Sequence, residues 1–241
     1  MSVREIILIR HGESAGNVAR EQALRTGAHR IDIDLRDADV WLTGLGRHQA
    51  GDLGSVLGDH LRDGERVEVW CSPYRRAIET VTIALERAEL EHRPLLDERL
   101  RDRELGILDR LTADGIAAQF PDEADRRQFL GKLYYRPPGG ESWSDVALRI
   151  RSFVADRRND DVDTILVSTH DAVIMLFRYV LEGLSEAELM ELARLSVRNG
   201  SLTRLVKNAD GDTDKGWYAA SYDSGDHLTE PTRAPAKEDH A

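Results

Sequence analysis

The chain has 241 residues, 41% of them hydrophobic, enough to fill one sizeable core. A formal net charge of −11 excludes a non-specific grip on nucleic acid or anionic lipid, and the single cysteine, Cys71, excludes an intramolecular disulfide. No run approaches the roughly 18 apolar residues of a membrane span and the short N-terminal apolar run does not read as a signal peptide, so a cytoplasmic protein without membrane or nucleic-acid partners is expected.

The first element is a strand at residues 5–9, where Ile6, Ile7, Leu8 and Ile9 form a continuous apolar run that ends in Arg10, His11 and Gly12. Residues 42–61 read as a helix with Thr43 at its N-cap, weakened by their glycines. A second strand follows at 66–71, then a helix at 74–90 with Ala77, Val81, Ala84, Leu85 and Ala88 on one stripe. Residues 92–96 form a weaker strand, and 141–158 a helix with Trp143, Val146, Ala147, Ile150 and Val154 on one face. A strand at 163–169 leads into 171–183, whose nearly all-apolar pattern predicts a helix buried on a sheet and ended by Gly183. The last strand spans 201–206; residues 207–241 read as a polar tail whose first part Trp217 and Tyr218 anchor. This alternation predicts an α/β domain with a mainly parallel sheet over residues 1–206, without internal repeats.

Open α/β sheets place their ligands at the carboxyl ends of the strands. There the chain puts Arg10 and His11 after the first strand, "CSPYRRA" at the end of the second, and "STHD" at the end of the fourth. Arg10, His11, Arg75 or Arg76, and His170 would therefore form a compact cationic site, and a phosphoryl group is the commonest dianion that suits one. A neutral histidine nitrogen is nucleophilic toward phosphorus near neutral pH. Arginine forks and a second histidine neutralise the equatorial oxygens of a loose transition state, a role that requires no metal or cofactor. A carboxylic acid must protonate the departing oxygen and later take a proton from water.

The segments "LIRHGES", Asn17, "LTGLGRHQA", "SPYRRAIET" and "ILVSTHD" follow one another over residues 6–171. In this order they resemble the histidine phosphatase superfamily, also called phosphoglycerate mutase-like. The resemblance implies a three-layer α/β/α sandwich with His11 as the phosphorylated nucleophile. It makes Arg10, Arg76, Asn17 and His170 phosphate ligands, and it lets Gly12 turn the backbone tightly behind the nucleophile. Arg75 does not match and reads as a surface group. The acid departs from the family pattern: "RDRELG" puts Asp102 where the family shows a glutamate, with Glu104 two residues later, and Asp171 follows the second histidine. The candidate donors rank Asp102, Glu104, Asp171. Competing structural readings are an ion pair of Asp102 with Arg99 or Arg103, helix capping by Asn17, and an N-cap role for Asp171.

The stretch "LYYRPPGGES" resembles broad-range phosphatases of the family, and by position Tyr134, Tyr135 and Arg136 would line the substrate entrance. Gly16 before Asn17 and "ILDRLT" after Gly106 lack features that mutases of the family show. The expectation is a metal-independent phosphatase acting on small phosphate monoesters. The alternatives are mutase-type phosphoryl transfer and a non-catalytic module that binds phosphorylated ligands. Cys71 is expected to pack as a small hydrophobe, and the remaining histidines to lie at the surface or cap helices. The arginine-, alanine- and aspartate-rich composition suggests a bacterial source; the oligomeric state is left open, a homodimer being one option.

Overall fold

Ile6, Ile7, Leu8 and Ile9 are all buried because β1 (Glu5–Arg10) lies between other strands of a sheet covered on both faces. Ile6 and Leu8 point into a core with Trp143, Phe153, Val167 and Phe177, whereas Ile7 and Ile9 point into a second core with Leu53, Leu57, Val81 and Leu166. The period of two along one strand thus divides its side chains between two apolar layers.

The computed structural model describes residues 3–61, 66–157, 161–208 and 216–229. Within them β1 joins β2 (Val67–Cys71), β3 (Leu95–Leu96), β4 (Thr164–Thr169), β5 (Leu202–Lys207) and β6 (Trp217–Ser224) in the order β3-β2-β4-β1-β5-β6. The pairs β1–β4, β2–β4 and β2–β3 are parallel, while β5 runs antiparallel to β1 and β6 antiparallel to β5. In register, Arg10 faces Thr169 and Cys71 faces Ser168, so β1, β2 and β4 end level with one another.

The helices are α1 (Ala15–Thr26), α2 (Gly44–His60), α3 (Arg75–Arg87), α4 (Ala113–Gln119), α5 (Pro121–Tyr134), α6 (Trp143–Asp156), α7 (Asp171–Leu181) and α8 (Glu186–Leu192). α2 and α3 cover one face of the sheet and α6 and α7 the other, giving the three-layer α/β/α sandwich. Thr43 caps α2, its hydroxyl accepting from the Gly46 N–H at 3.1 Å. Among the described residues no helix is long and apolar enough to cross a membrane.

The structure corrects three readings of these elements. The strand expected at 92–96 shortens to two residues, and α1, α4, α5 and α8 arise where no apolar stripe predicts a helix. α1 buries only Ala23, yet it is held by reciprocal Ser14–Asn17 capping and a left-handed Gly27 at its end. Part of the segment read as a polar tail is β6, with Trp217, Ala219 and Tyr222 packed against the core and Tyr218 exposed. Residues 209–215 and 230–241 of that segment lie outside the described residues.

Candidate active site

Because β1 and β4 are neighbours and parallel, His11 and His170 emerge side by side, with ring centroids 5.2 Å apart in an edge-on arrangement. The His11 N–H bonds the Thr169 carbonyl at 3.1 Å, and the Gly12 N–H donates to Thr80 Oγ1 on α3 at 3.0 Å. Gly12 lies against the start of α2: a Cβ there would sit 2.3 Å from the Gly46 carbonyl oxygen, and one on Gly46 would sit 2.0 Å from that of Glu13. Close approach of two backbones therefore requires these glycines, in place of the tight turn expected for Gly12.

His11 is buried, and its Nδ1 lies 2.7 Å from the Gly12 carbonyl, an acceptor only, so Nδ1 carries the proton. Nε2 is then the lone-pair nitrogen, and Arg76 Nε donates to it at 3.2 Å. Burial first, then the Arg76 charge, the repulsion that two protonated imidazoles would feel beside His170, and the Arg10 charge hold the His11 imidazole well below its ordinary pKa, against the opposing Gly12 hydrogen bond.

His170 is fully buried at the N-cap of α7, its Nε2 2.8 Å from Ser72 Oγ, which also accepts from the Tyr74 N–H at 3.2 Å. Its Nδ1 lies 3.3 Å from Asp102 Oδ2, off hydrogen-bond alignment. Burial and then Arg76, Arg149 and Arg10 lower its pKa well below the ordinary value too, so both imidazoles are neutral near pH 7. Arg76 lies in the first turn of α3, 5% exposed along its side chain, and donates through Nη2 to Asp102 Oδ2 at 3.0 Å. Asp102 is fixed from several sides: Arg103 N–H donates to its Oδ1 at 2.9 Å and Arg149 Nη2 to its carbonyl at 3.2 Å. Thr169 Oγ1 holds the same loop through the Leu100 carbonyl at 2.8 Å.

Arg10, His11, Arg76, Asp102 and Asn17 line one pocket of about 200 Å³, and His170, fully buried, lies behind this lining rather than on it. Arg10 is buried and donates through Nη1 to the Val197 carbonyl. Asn17 caps α1 with its side-chain oxygen, which accepts from the Ser14 N–H at 3.0 Å. The capping and pocket readings of this residue therefore coexist, the amide nitrogen being the donor end that an anion can use. The outer wall is apolar: Ile31, Ile33 and Leu35 face it along an extended segment, while Asp32 and Asp34 alternate outward.

Glu104 and Asp171 line the same pocket but are held differently. Glu104 is exposed and reaches Tyr74, whose hydroxyl donates to it at 3.2 Å, while Asp171 is buried between the Ser196 hydroxyl at 2.6 Å and the Val197 N–H at 3.0 Å. Asp171 thus ties α7 to the 196–197 loop and is the first residue of α7 rather than its N-cap. Arg75 is a surface group paired with Glu79 at 2.8 Å. Tyr134, Tyr135 and Arg136 do not line the pocket: Tyr135 is buried beneath α5 with its hydroxyl on Glu123, and Arg136 pairs with Asp145 outside. Cys71 is buried, its thiol pushed up to about 12 by desolvation, so it packs without a thiolate role. Sequence reasoning assigned no role to Ser72, Tyr74 or Asp37, although the first two fall inside the quoted "SPYRRAIET".

The model of the histidine phosphatase superfamily (branch 1) matches residues 6–219. The chain belongs to this superfamily. Within the superfamily it is 33% identical over 215 residues to a 2,3-bisphosphoglycerate-dependent phosphoglycerate mutase of Methylobacterium radiotolerans, covering 87% of this chain and 92% of the relative. It is 30% identical over 214 residues to a 6-phosphofructo-2-kinase/fructose-2,6-bisphosphatase of Caenorhabditis elegans, covering 81% of this chain but only 44% of that longer protein. It is also 30% identical over 224 residues to a glucosyl-3-phosphoglycerate phosphatase of Mycobacterium tuberculosis, covering 92% and 90% of the two chains. A solved structure of such a mycobacterial phosphatase with VO3 superposes with a TM-score of 0.71 at 27% identity, covering 92% of this chain and all of that one.

For a histidine phosphatase superfamily member the pocket offers a consistent set of groups: the His11 lone-pair nitrogen, the buried guanidiniums of Arg10, Arg76 and Arg103, and several carboxyls, of which Asp102 stands nearest Arg76 and His170 together. The N-terminus of α7 opens on the same sheet edge, adding positive dipole ends beside His170. Among the described residues no cluster of three or more His, Cys, Asp or Glu side chains has the grouping of a metal site.

Proposed function

We propose that this protein hydrolyses phosphate monoesters of small molecules through a phosphohistidine on His11. The observation that carries this reading is the tautomer of His11: the Gly12 carbonyl holds the proton on Nδ1, so the Nε2 lone pair faces the guanidinium of Arg76. A buried neutral imidazole aimed at an anion-binding arginine is a nucleophile toward phosphorus rather than a surface base.

In the first step His11 Nε2 bonds to phosphorus, the ester P–O bond breaks, and the leaving oxygen takes a proton from Asp102. In the second, Asp102 takes a proton from water, the hydroxide oxygen bonds to phosphorus, and the N–P bond breaks to return His11 and free phosphate. Arg10, Arg76 and His170 hold the equatorial oxygens, and the Asn17 amide nitrogen supplies a further donor. Asp102 outranks Glu104 as the acid because its Oδ2 stands 3.3 Å from His170 and 3.0 Å from Arg76, whereas Glu104 is hydrogen-bonded by Tyr74 farther out.

The test is hydrolysis of p-nitrophenyl phosphate and a panel of sugar phosphates, with chelator present and no metal added, by the wild type and His11→Ala. Chelator-resistant phosphate release that disappears in His11→Ala is the expected result. Activity within tenfold of wild type in His11→Ala would rule out the phosphohistidine. Phosphate binding without turnover of any substrate would favour a non-catalytic phospho-ligand module. The mutase of Methylobacterium radiotolerans, 33% identical, supports a second reading, phosphoryl transfer between hydroxyls of one substrate. Added alcohol or phosphoglycerate acceptors competing with water for the phosphohistidine would favour that reading over hydrolysis.

A further inference from the structure

Arg76 faces two ways. Its Nε reaches His11, but its outer edge is already met by a carboxylate: Nη1 donates to Asp37 Oδ1 at 2.9 Å and Nη2 to Asp37 Oδ2 at 3.1 Å. Nη1 also donates to the Asp37 carbonyl at 2.7 Å. This is the fork-to-fork arrangement in which a guanidinium grips two oxygens of a phosphoryl group.

Asp37 opens a single 3-10 turn, Asp37–Asp39, in the segment between α1 and α2. That segment is tied across the pocket, the Ile31 N–H donating to the Arg110 carbonyl at 2.9 Å and Arg110 Nη1 to the Ile33 carbonyl at 3.0 Å. At its far end the Leu42 N–H donates to Glu79 at 3.0 Å. The two partners are unequal in burial: the Asp37 side chain is 47% exposed and that of Arg76 only 5%. Asp37 can turn into water at modest cost, whereas Arg76 stays buried between His11 and Asp102.

We propose that Asp37 sets the affinity of the site: it is a built-in anion that competes with the phosphoryl group for the Nη edge of Arg76, weakening the hold on substrate and on product phosphate alike. The proposal rests on the reading of this pocket as a phosphoryl site. A competitor of this kind subtracts from ground-state and product binding rather than from the chemical step. If the form with Asp37 turned away holds about one tenth of the population, phosphate binds about tenfold more weakly than to a chain lacking the carboxylate. A residue that merely oriented Arg76 would act in the opposite direction, since its loss would weaken anion binding.

The experiment measures binding of inorganic phosphate by calorimetry, together with phosphate inhibition of p-nitrophenyl phosphate hydrolysis, in wild type, Asp37→Asn, Asp37→Ala and Asp39→Asn. Asp39 pairs with Arg36 on the surface and controls for the change in net charge. Both Asp37 variants should bind phosphate about tenfold more tightly, with the inhibition constant and KM falling in parallel and the gain absent from kcat. Asp39→Asn should stay within twofold of wild type. Unchanged or weakened phosphate binding in both Asp37 variants, where the wild type binds, would overturn this inference alone. Equal tightening in Asp39→Asn would overturn it in favour of general charge. No phosphate binding and no turnover in any of the four proteins would overturn the phosphoryl-site reading itself, and this proposal with it.

Discussion

Replacing Asp102 by asparagine separates proton donation from scaffolding at nearly unchanged atomic positions. Each Asp102 oxygen accepts from a donor, Oδ1 from the Arg103 N–H at 2.9 Å and Oδ2 from Arg76 Nη2 at 3.0 Å. Asparagine has one acceptor end, so either orientation of its amide sets a donor against a donor. The side chain is 29% exposed and water relieves part of the mismatch, leaving a cost of about 1 kcal/mol, the low end of that for an unsatisfied polar group. This cost falls on every substrate and lowers kcat/KM about fivefold. Loss of the proton falls only on leaving groups that need it, at about 10²- to 10⁴-fold for alkyl phosphates. Because kcat/KM reports the step that breaks the ester bond, comparing p-nitrophenyl phosphate with glycerol phosphate isolates the two effects. The alkyl ester should lose at least about a hundredfold more than the aryl ester, given the lower bound for acid catalysis. A loss above tenfold that is equal for both esters would refute Asp102 as the donor and shift the role to Glu104.

His11 and His170 are both held well below the ordinary value of 6.5. Below that pH the unfolded chain binds protons on both that the folded chain refuses, so stability falls as pH drops from 6.5 toward the folded values and gains nothing from them above it. Denaturant midpoints between pH 7.5 and 5 should therefore drop more in the wild type than in a His11→Ala, His170→Ala double variant; equal drops would refute the assignment. Arg76→Ala should cost about 10²-fold or more in kcat/KM, as expected for a lost donor to developing charge. Arg75→Ala should stay within about twofold because it removes a surface ion pair with Glu79 and a contact with the Trp41 ring, neither of them in the pocket, and comparable losses in the two variants would contradict the geometry. Gly46→Ala places a Cβ 2.0 Å from the Glu13 carbonyl oxygen, a backbone atom. Overpacking there should cost about 2 kcal/mol, read as a melting temperature lower by roughly 4–8 °C; an unchanged melting temperature would mean that the two backbones can separate freely.

The sheet was legible where one side-chain pattern decides one environment. Ile6–Ile9 and Ile165–Val167 are unbroken apolar runs because strands buried on both faces have no polar side to alternate with. Their adjacency then places His11 beside His170, and the strand-end motifs carry the pair. β6 was not legible because Trp217–Ser224 is a half-covered edge strand whose serines and Asp223 read as tail, and its partner β5 decides its structure. Asp37 carried no local signal: its role comes from a segment folding back onto a helix that begins 38 residues later in the chain. Tyr135 and Arg136 show the reverse error: their place at the entrance rested on position in the resembling stretch alone, whereas the end of α5 turns the tyrosine inward.

The strand order has a consequence for biosynthesis. β1 is made first, yet both its sheet neighbours, β4 and β5, lie near the other end of the chain. During synthesis at about 5–20 residues per second, the roughly 160 residues that separate His11 from His170 take on the order of 8–32 seconds to emerge. For that interval Ile6–Ile9 has neither ladder partner and must be shielded as a sticky nascent segment. A message truncated before β4 would yield a chain that retains the nucleophile on β1 but lacks both strands that flank it.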